Sequence, residues 1–471
     1  MPLKIQQLRT AKRGFILFVY TLAIAMIVLV LGLAIDAGVL YVVKGRLQAA
    51  ADAGALAAAR SLNLDLSTGV QTTDAQNAAS SFFGANFPNG LWGTSGSTMT
   101  TNLAYGTGTT ANTLNINATA FTRAPTYFMR WLGYTTVPLN VTGTASRRDV
   151  NLVLVLDRSG SMCTVGAVDN PPCGKADTAT PCAAMINAAE SFVDRFSNNR
   201  DTLGLVVFNA GAQESFVANA NFNPSIKTVL DNVVCNGWTG TTNAMRLAYS
   251  RLQTLNNPGK LNAVVLFTDG QANTIVGDFP PTGGCTSLPT GSLTQSAGLF
   301  DYASIATPET VVSGSCSIPN SIAYVPATDH WNNATHGFRT NWDDASQTFT
   351  SPDLISGNIN PNLPQAIINA ASNTLDDQAK TARNNAALNP MIMTIGLGGN
   401  AGAPPDAQLL IRVANAPSGL DLMGNVVTNP ATPTGAFDAS KQVGIYVYSP
   451  SASQLLGAFS KVGSFLVELT K

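Results

Sequence analysis

Hydrophobic positions along the chain fall into four regimes. From Phe15 to Ile35 the sequence "FILFVYTLAIAMIVLVLGLAI" carries no charge over 21 residues. At helical rise such a run reaches about 30 Å, the thickness of a bilayer's hydrocarbon core. It exceeds the roughly 7–15 apolar residues of a cleavable signal peptide, so a retained transmembrane helix is expected over 15–35 behind a tail of residues 1–14. Next, "DAGVLYVVKGRLQAAADAGALAAARSL" is dense in Ala, lacks Pro and repeats its apolar positions at helical spacing. It predicts a helical stalk over 36–71, with Asp52 on a face of small residues where backbones can approach closely. Residues 72–148 switch to period-two alternation, as in "NTLNINATAF" and "TTVPLNVTGTAS", after a helical stretch at Ala75–Phe82. A small β-rich α+β domain is expected there, with "APTYFMRWLG" as a short packed helix or loop.

The fourth regime covers residues 149–471. Near-continuous apolar runs ("VNLVLVLD", "TLGLVVFN", "LNAVVLFTDG", "MIMTIGLG", "GIYVYS") alternate with amphipathic stretches such as "AAMINAAESFVDRF", "TTNAMRLAYSRLQTL" and "DAQLLIRVAN". Strands apolar on both faces, separated by helices, predict an α/β fold with a doubly wound, mostly parallel sheet. Ligands of such sheets bind beyond the carboxyl ends of the strands. Two insertions interrupt the rhythm, over 163–181 and 274–363; the second is rich in Thr, Pro, Gly, Ser and Asn and leaves the sheet at its ligand-binding edge.

Charge narrows the function. Net charge is −1 and 11% of residues are charged, with no basic stripe, which speaks against nucleic acid as a partner. Lys4, Arg9, Lys12 and Arg13 precede the apolar run, so the positive-inside rule puts the N-terminus in the cytoplasm and the bulk outside. Six cysteines, Cys163, Cys173, Cys182, Cys235, Cys285 and Cys316, suit disulfides in that exported part. Cys285 and Cys316 share one insertion and are the favoured pair. At least one bridge is expected among the other four, with the connectivity open.

The chemistry concentrates in three segments. "VNLVLVLDRSGSM" ends a strand in Asp157, Ser159 and Ser161; "GTTNAMRLAY" opens a helix with Thr242 near its start; "LFTDG" ends another strand in Asp269. The strand-end rule brings them to one edge of the sheet. Two carboxylates and three hydroxyls, without sulfur or imidazole, suit a hard divalent cation: Mg²⁺ first, Mn²⁺ or Ca²⁺ as alternatives. Few charges leave such an ion electron-poor and able to accept a carboxylate from a protein partner. A metal-assisted hydrolase is the rival, but no His, Glu or Lys falls in these segments to act as base, and the chain is read as a non-enzyme. The two histidines, in "HWNNATH", read as loop residues.

"LVLDRSGSM", "GTTNAMRLA" and "VLFTDG" resemble the three parts of the metal-ion-dependent adhesion site (MIDAS) of von Willebrand factor type A domains. The resemblance implies Ser159, Ser161 and Thr242 as direct ligands, with Asp157 and Asp269 binding directly or through water. Thr241 is the substitute for Thr242, because the tandem threonines leave the register open. Likewise "KRG", "AIDAGVLY" and "RLQAAADAGALAAA" resemble the N-terminus of TadE/TadG-like proteins of tight-adherence (Flp) pilus assembly. Processed Flp pilins carry a glutamate soon after the cleavage glycine; here Gly14 is followed by "FILFVY". Together the resemblances imply a single-pass inner-membrane protein serving pilus assembly or surface adhesion. Its partners would be pilus-assembly components or a surface ligand, and a fibre-tip adhesin is the alternative.

Overall fold

The apolar run and the Ala-rich stretch form one helix, α1 (Lys4–Ser61). The computed structural model describes residues 4–61, 68–106, 113–166, 168–169, 171–257, 259–278, 291–294, 297–301, 305–306, 310–311, 327–337, 342–343, 348–349, 364–398, 404–427 and 437–469. Contacts divide the chain into two units, with the boundary between Arg147 and Arg148.

In the first unit the two halves of α1 behave differently. Large side chains of Phe15–Ile35 stay exposed, whereas Val43, Leu47, Ala50, Ala51, Ala55 and Ala58 are buried at three- and four-residue spacing. That buried stripe packs with α2 (Thr68–Asn86) on a three-stranded sheet of β1 (Ser95–Tyr105), β2 (Thr113–Pro125) and β3 (Thr136–Arg148), in that order. Strand β2 turns Ile116, Ala118, Ala120 and Ala124 inward while alternate residues face out, the half-buried pattern expected from its sequence. The stretch expected as a stalk is therefore a wall of the small domain. Its small residues matter most at Gly143. A Cβ built there would lie 2.5 Å from the carbonyl carbon and oxygen of Ala51 and 2.7 Å from the amide nitrogen of Asp52. The "APTYFMRWLG" segment forms a short 3₁₀ turn, Met129–Leu132, none of whose residues is buried.

The second unit holds an eight-stranded sheet built from β4 (Val150–Asp157), β5 (Thr202–Phe208), β6 (Ala212–Asn219), β7 (Leu261–Thr268), β8 (Met391–Leu397), β9 (Gly419–Leu420), β10 (Val426–Val427) and β11 (Tyr446–Ser449). The strand order is β10-β9-β11-β8-β7-β4-β5-β6. The interior pairings are parallel, and only the edge strands β6 and β10 run antiparallel. Alternate residues of β4 feed two cores. Leu152, Leu154 and Leu156 join α3 (Pro181–Val193), α4 (Ser225–Asp231) and α8 (Leu455–Leu469) on one face. Val153 and Val155 join α5 (Thr241–Leu255), α6 (Pro364–Asn384) and α7 (Ala407–Ala414) on the other. This is the doubly wound mixed α/β fold, with β4 and β7 central.

Candidate metal centre

Strand β4 ends at Asp157 and its parallel neighbour β7 ends at Thr268, with Leu156 opposite Phe267. The register therefore sets Asp157 and Thr268 side by side, and the Thr268 hydroxyl donates to Asp157 Oδ2 at 2.5 Å. The chain turns sharply after β4: the Ser159 amide donates back to Asp157 Oδ1 at 2.8 Å. That turn presents both serine hydroxyls, 2.9 Å apart, toward the next strand end. Ser161 Oγ donates to Asp269 Oδ1 at 2.8 Å, and Ser159 Oγ lies 3.5 Å from the same oxygen. Asp157, Ser159 and Asp269 are buried.

The third segment is locked against the other two. Gly160 N–H donates to the Gly237 carbonyl at 2.8 Å. Thr239 and Asn273 exchange a pair of bonds, Thr239 N to Asn273 Oδ1 at 2.8 Å and Asn273 N to Thr239 O at 3.1 Å. Gly240, just before α5, packs so tightly that a Cβ would meet the Ala210 carbonyl oxygen at 2.6 Å. This close approach fixes Thr241 as the first residue of α5.

The two threonines then diverge. Thr242 Oγ1 is 2.9 Å from Thr374 Oγ1 on α6, and Thr374 gives its own proton to the Ala371 carbonyl, so Thr242 is the donor of the pair. The Thr241 hydroxyl is buried and has no hydrogen-bond partner. Buried hydroxyls rarely go unpaired, so this one, in the first turn of α5, is a polar group short of a partner. Burial, only partly offset by hydrogen bonds from Thr268 and Ser159, pushes the Asp157 carboxyl up to about 6. The converging oxygens of Asp157, Ser159, Ser161 and Asp269, with no sulfur or imidazole among them, fit a hard divalent cation. Asp157, Ser159, Ser161 and Asp269 are brought together as the sequence suggests. Thr268 is the contributor the sequence analysis passed over, although the matched ends of two parallel strands could have revealed it.

Two disulfides brace the site. Cys163–Cys173 closes the insertion directly after "SGSM", and Cys182–Cys235 ties the start of α3 to the segment before Thr241. The sulfurs of Cys173, Cys182 and Cys235 lie within 4.8 Å of one another, but all three belong to these bridges and offer no thiolate. Cys285 and Cys316, the favoured pair, lie outside the described residues. In the second insertion, the His330 imidazole meets the Asp278 carboxylate at 2.9 Å, and His336 lies 3.1 Å from the Thr335 hydroxyl. Among the described residues neither histidine joins a cluster of three metal-binding side chains.

Comparison with known proteins places these features. Residues 152–271 match the von Willebrand factor type A domain, and residues 14–61 match the Flp pilus-assembly TadE/G-like family. The chain thus carries a TadE/G-like N-terminal segment and a von Willebrand type A domain. Similar solved structures include the PilB minor pilin from Streptococcus sanguinis, at 12% identity over 81% of this chain and 80% of that one, with a TM-score of 0.37. A von Willebrand factor type A protein from Catenulispora acidiphila is 12% identical over 79% of this chain and 50% of its own, with a TM-score of 0.32. The vWF domain of the type V pili tip protein Mfa5 from Porphyromonas gingivalis is 16% identical over 69% of this chain and 98% of its own, with a TM-score of 0.35. No curated protein matches the chain.

Proposed function

We propose that this chain is a single-pass envelope protein of Flp-type pilus assembly or adhesion whose type A domain presents a divalent cation to a protein partner. The observation that carries the metal is the convergence of oxygens from Asp157, Ser159, Ser161 and Asp269 at one sheet edge, with the unpaired Thr241 hydroxyl at the start of α5 beside it in support of this reading. Ser159, Ser161 and Thr241 would supply neutral oxygens, and Asp157 and Asp269 the charge. Thr242, engaged with Thr374, serves the packing of α5 on α6 instead. The bound cation would act as a Lewis acid toward a partner's Asp or Glu; Mg²⁺ suits the hydroxyl-rich donor set and keeps exchangeable waters. Asp157 accepts from Thr268 and Ser159, and Asp269 accepts from Ser161, roles that favour ligation over proton transfer. We therefore read a binding module and not an enzyme.

The pilus reading rests on the two family matches lying in one chain. Membrane attachment rests on α1, whose apolar part is long enough to span a bilayer and is almost wholly exposed. With Lys4, Arg9, Lys12 and Arg13 before the span, the type A domain would lie on the outer side of the inner membrane. Calorimetry of the detergent-solubilised chain with Mg²⁺ and Mn²⁺, paired with capture of envelope proteins with and without EDTA, tests both halves. Cation binding lost in Asp157→Ala and EDTA-released partners are expected. Equal binding by wild type and variant would remove the metal from this edge.

A further inference from the structure

The "APTYFMRWLG" segment leaves a group of large aromatic and apolar side chains in solvent. Tyr127, Phe128, Leu132 and Tyr134 are 41–61% exposed and Trp131 is 88% exposed. A soluble domain of this size would normally bury such a group. Its place in the first unit is fixed by α1. Asp36, the first charged residue after the apolar run, is buried, and its carboxylate accepts three backbone N–H bonds, from Tyr127 at 2.8 Å, Phe128 at 3.0 Å and Met129 at 2.6 Å. One turn back inside the run, Gly32 makes room for Phe128: a Cβ there would lie 2.5 Å from Phe128 Cδ1. The aromatic turn is thus clamped to the helix at the level where hydrocarbon gives way to charge.

We propose that Tyr127–Tyr134, with Trp92, is a second membrane-contacting element that seats in the lipid headgroup zone where α1 leaves the bilayer. The inference rests on the reading of α1 as a membrane span. Tyr and Trp favour this zone because their rings are apolar while their O–H and N–H reach water. An open apolar groove of about 460 Å³, lined by Ile35, Gly38, Val39, Val42, Trp92 and Tyr127, lies beside the turn along the same stretch of helix. Exposed Arg130, Lys44 and Arg46 complete the match. Lys44 and Arg46 lie about 12–15 Å beyond Asp36 along the helix, within reach of lipid phosphates. A protein partner covering the same patch would have no need of a clamp at the run's end. A bilayer does, because the depth of the aromatics must agree with the length of the span. The Asp36 clamp then sets the angle at which the domain stands on the membrane.

The full chain reconstituted into vesicles of phosphatidylethanolamine and phosphatidylglycerol supplies the test, with bromine placed on the acyl chains either just below the headgroups or near the chain ends. Trp131→Phe serves as the subtraction, since a side chain this exposed leaves the fold unchanged. The emission lost in Trp131→Phe should be blue-shifted, quenched strongly by shallow bromine and weakly by deep bromine. A solvent-like, unquenched Trp131 in protein that resists carbonate extraction would overturn the inference and leave the anchor intact. Release of the chain by carbonate would instead overturn the membrane span, and this inference with it.

Discussion

The hydroxyls of Thr242 and Thr374 lie 2.9 Å apart, whereas the buried hydroxyl of the adjacent Thr241 has no hydrogen-bond partner. Thr242→Val should cost about 1 kcal/mol of stability, the net worth of a hydrogen bond, and leave Mg²⁺ affinity unchanged. Thr241→Val should do the reverse, weakening Mg²⁺ roughly tenfold, about 1.4 kcal/mol, with little change in melting temperature. Calorimetry and thermal melts on both variants check this; the opposite assignment would return Thr242 to the ligand set.

Asp157 links the site to pH. Burial, the largest cause, raises its carboxyl from the ordinary 3.8 to about 6. A raised acid favours the protonated folded state. Its contribution to stability is full below 3.8 and is lost as pH rises through about 6. Cation binding needs the ionised form, so apparent Mg²⁺ affinity should fall about tenfold per pH unit below about 6. The rise in melting temperature on adding Mg²⁺ should accordingly be large near neutral pH and small in mild acid. A Mg²⁺ shift independent of pH would contradict the role given to Asp157.

Cys182–Cys235 joins positions 53 apart and Cys163–Cys173 positions 10 apart. In the chain-entropy description the longer loop is worth about 4 kcal/mol and the shorter about 3 kcal/mol. Paired Cys→Ala replacement of the first bridge should therefore lower stability more than replacement of the second. Peptide mapping of unreduced protein should recover both links. The same map reports whether Cys285 and Cys316 pair; linkage of either to one of the other four cysteines would refute this connectivity.

Gly143 faces the backbone of Ala51 and Asp52 at 2.5–2.7 Å, with no flexible side chain to give way. Gly143→Ala should destabilise the first unit by about 1–3 kcal/mol through overpacking. Gly84→Ala in α2 is the control, since a Cβ there meets nothing within 4 Å and alanine favours the helix. Circular dichroism melts should separate the two variants; equal melting would mean that β3 can move off α1 freely.

Much of this protein was legible in its residue pattern, and for local reasons. Runs such as "VNLVLVLD", apolar without a break from Leu152 to Leu156, read as strands buried on both faces, and they gave the parallel sheet and its ligand-binding edge. Asp157, Ser159, Ser161 and Asp269 follow because each sits at or just beyond a strand end, where register alone brings them together. Strand β6 escaped notice because "AQESFVAN" shows little alternation, being an edge strand buried chiefly at Ala212 and Ala218. The choice between Thr241 and Thr242 could not be read locally. Moving a helix start by one residue rotates every side chain by about 100°. That start is set by the fit of Gly240 against the carbonyls of Asn209 and Ala210, far away in sequence. Pairing of the four cysteines is of the same kind, since their identities allow several connectivities and only the fold brings Cys182 to Cys235. The seating of Asp36 on Tyr127–Met129 joins positions more than 90 apart. Composition and periodicity fix what each segment is. Which atom meets which across long loops depends on backbone approaches a few tenths of an ångström wide, and only the assembled tertiary structure decides those.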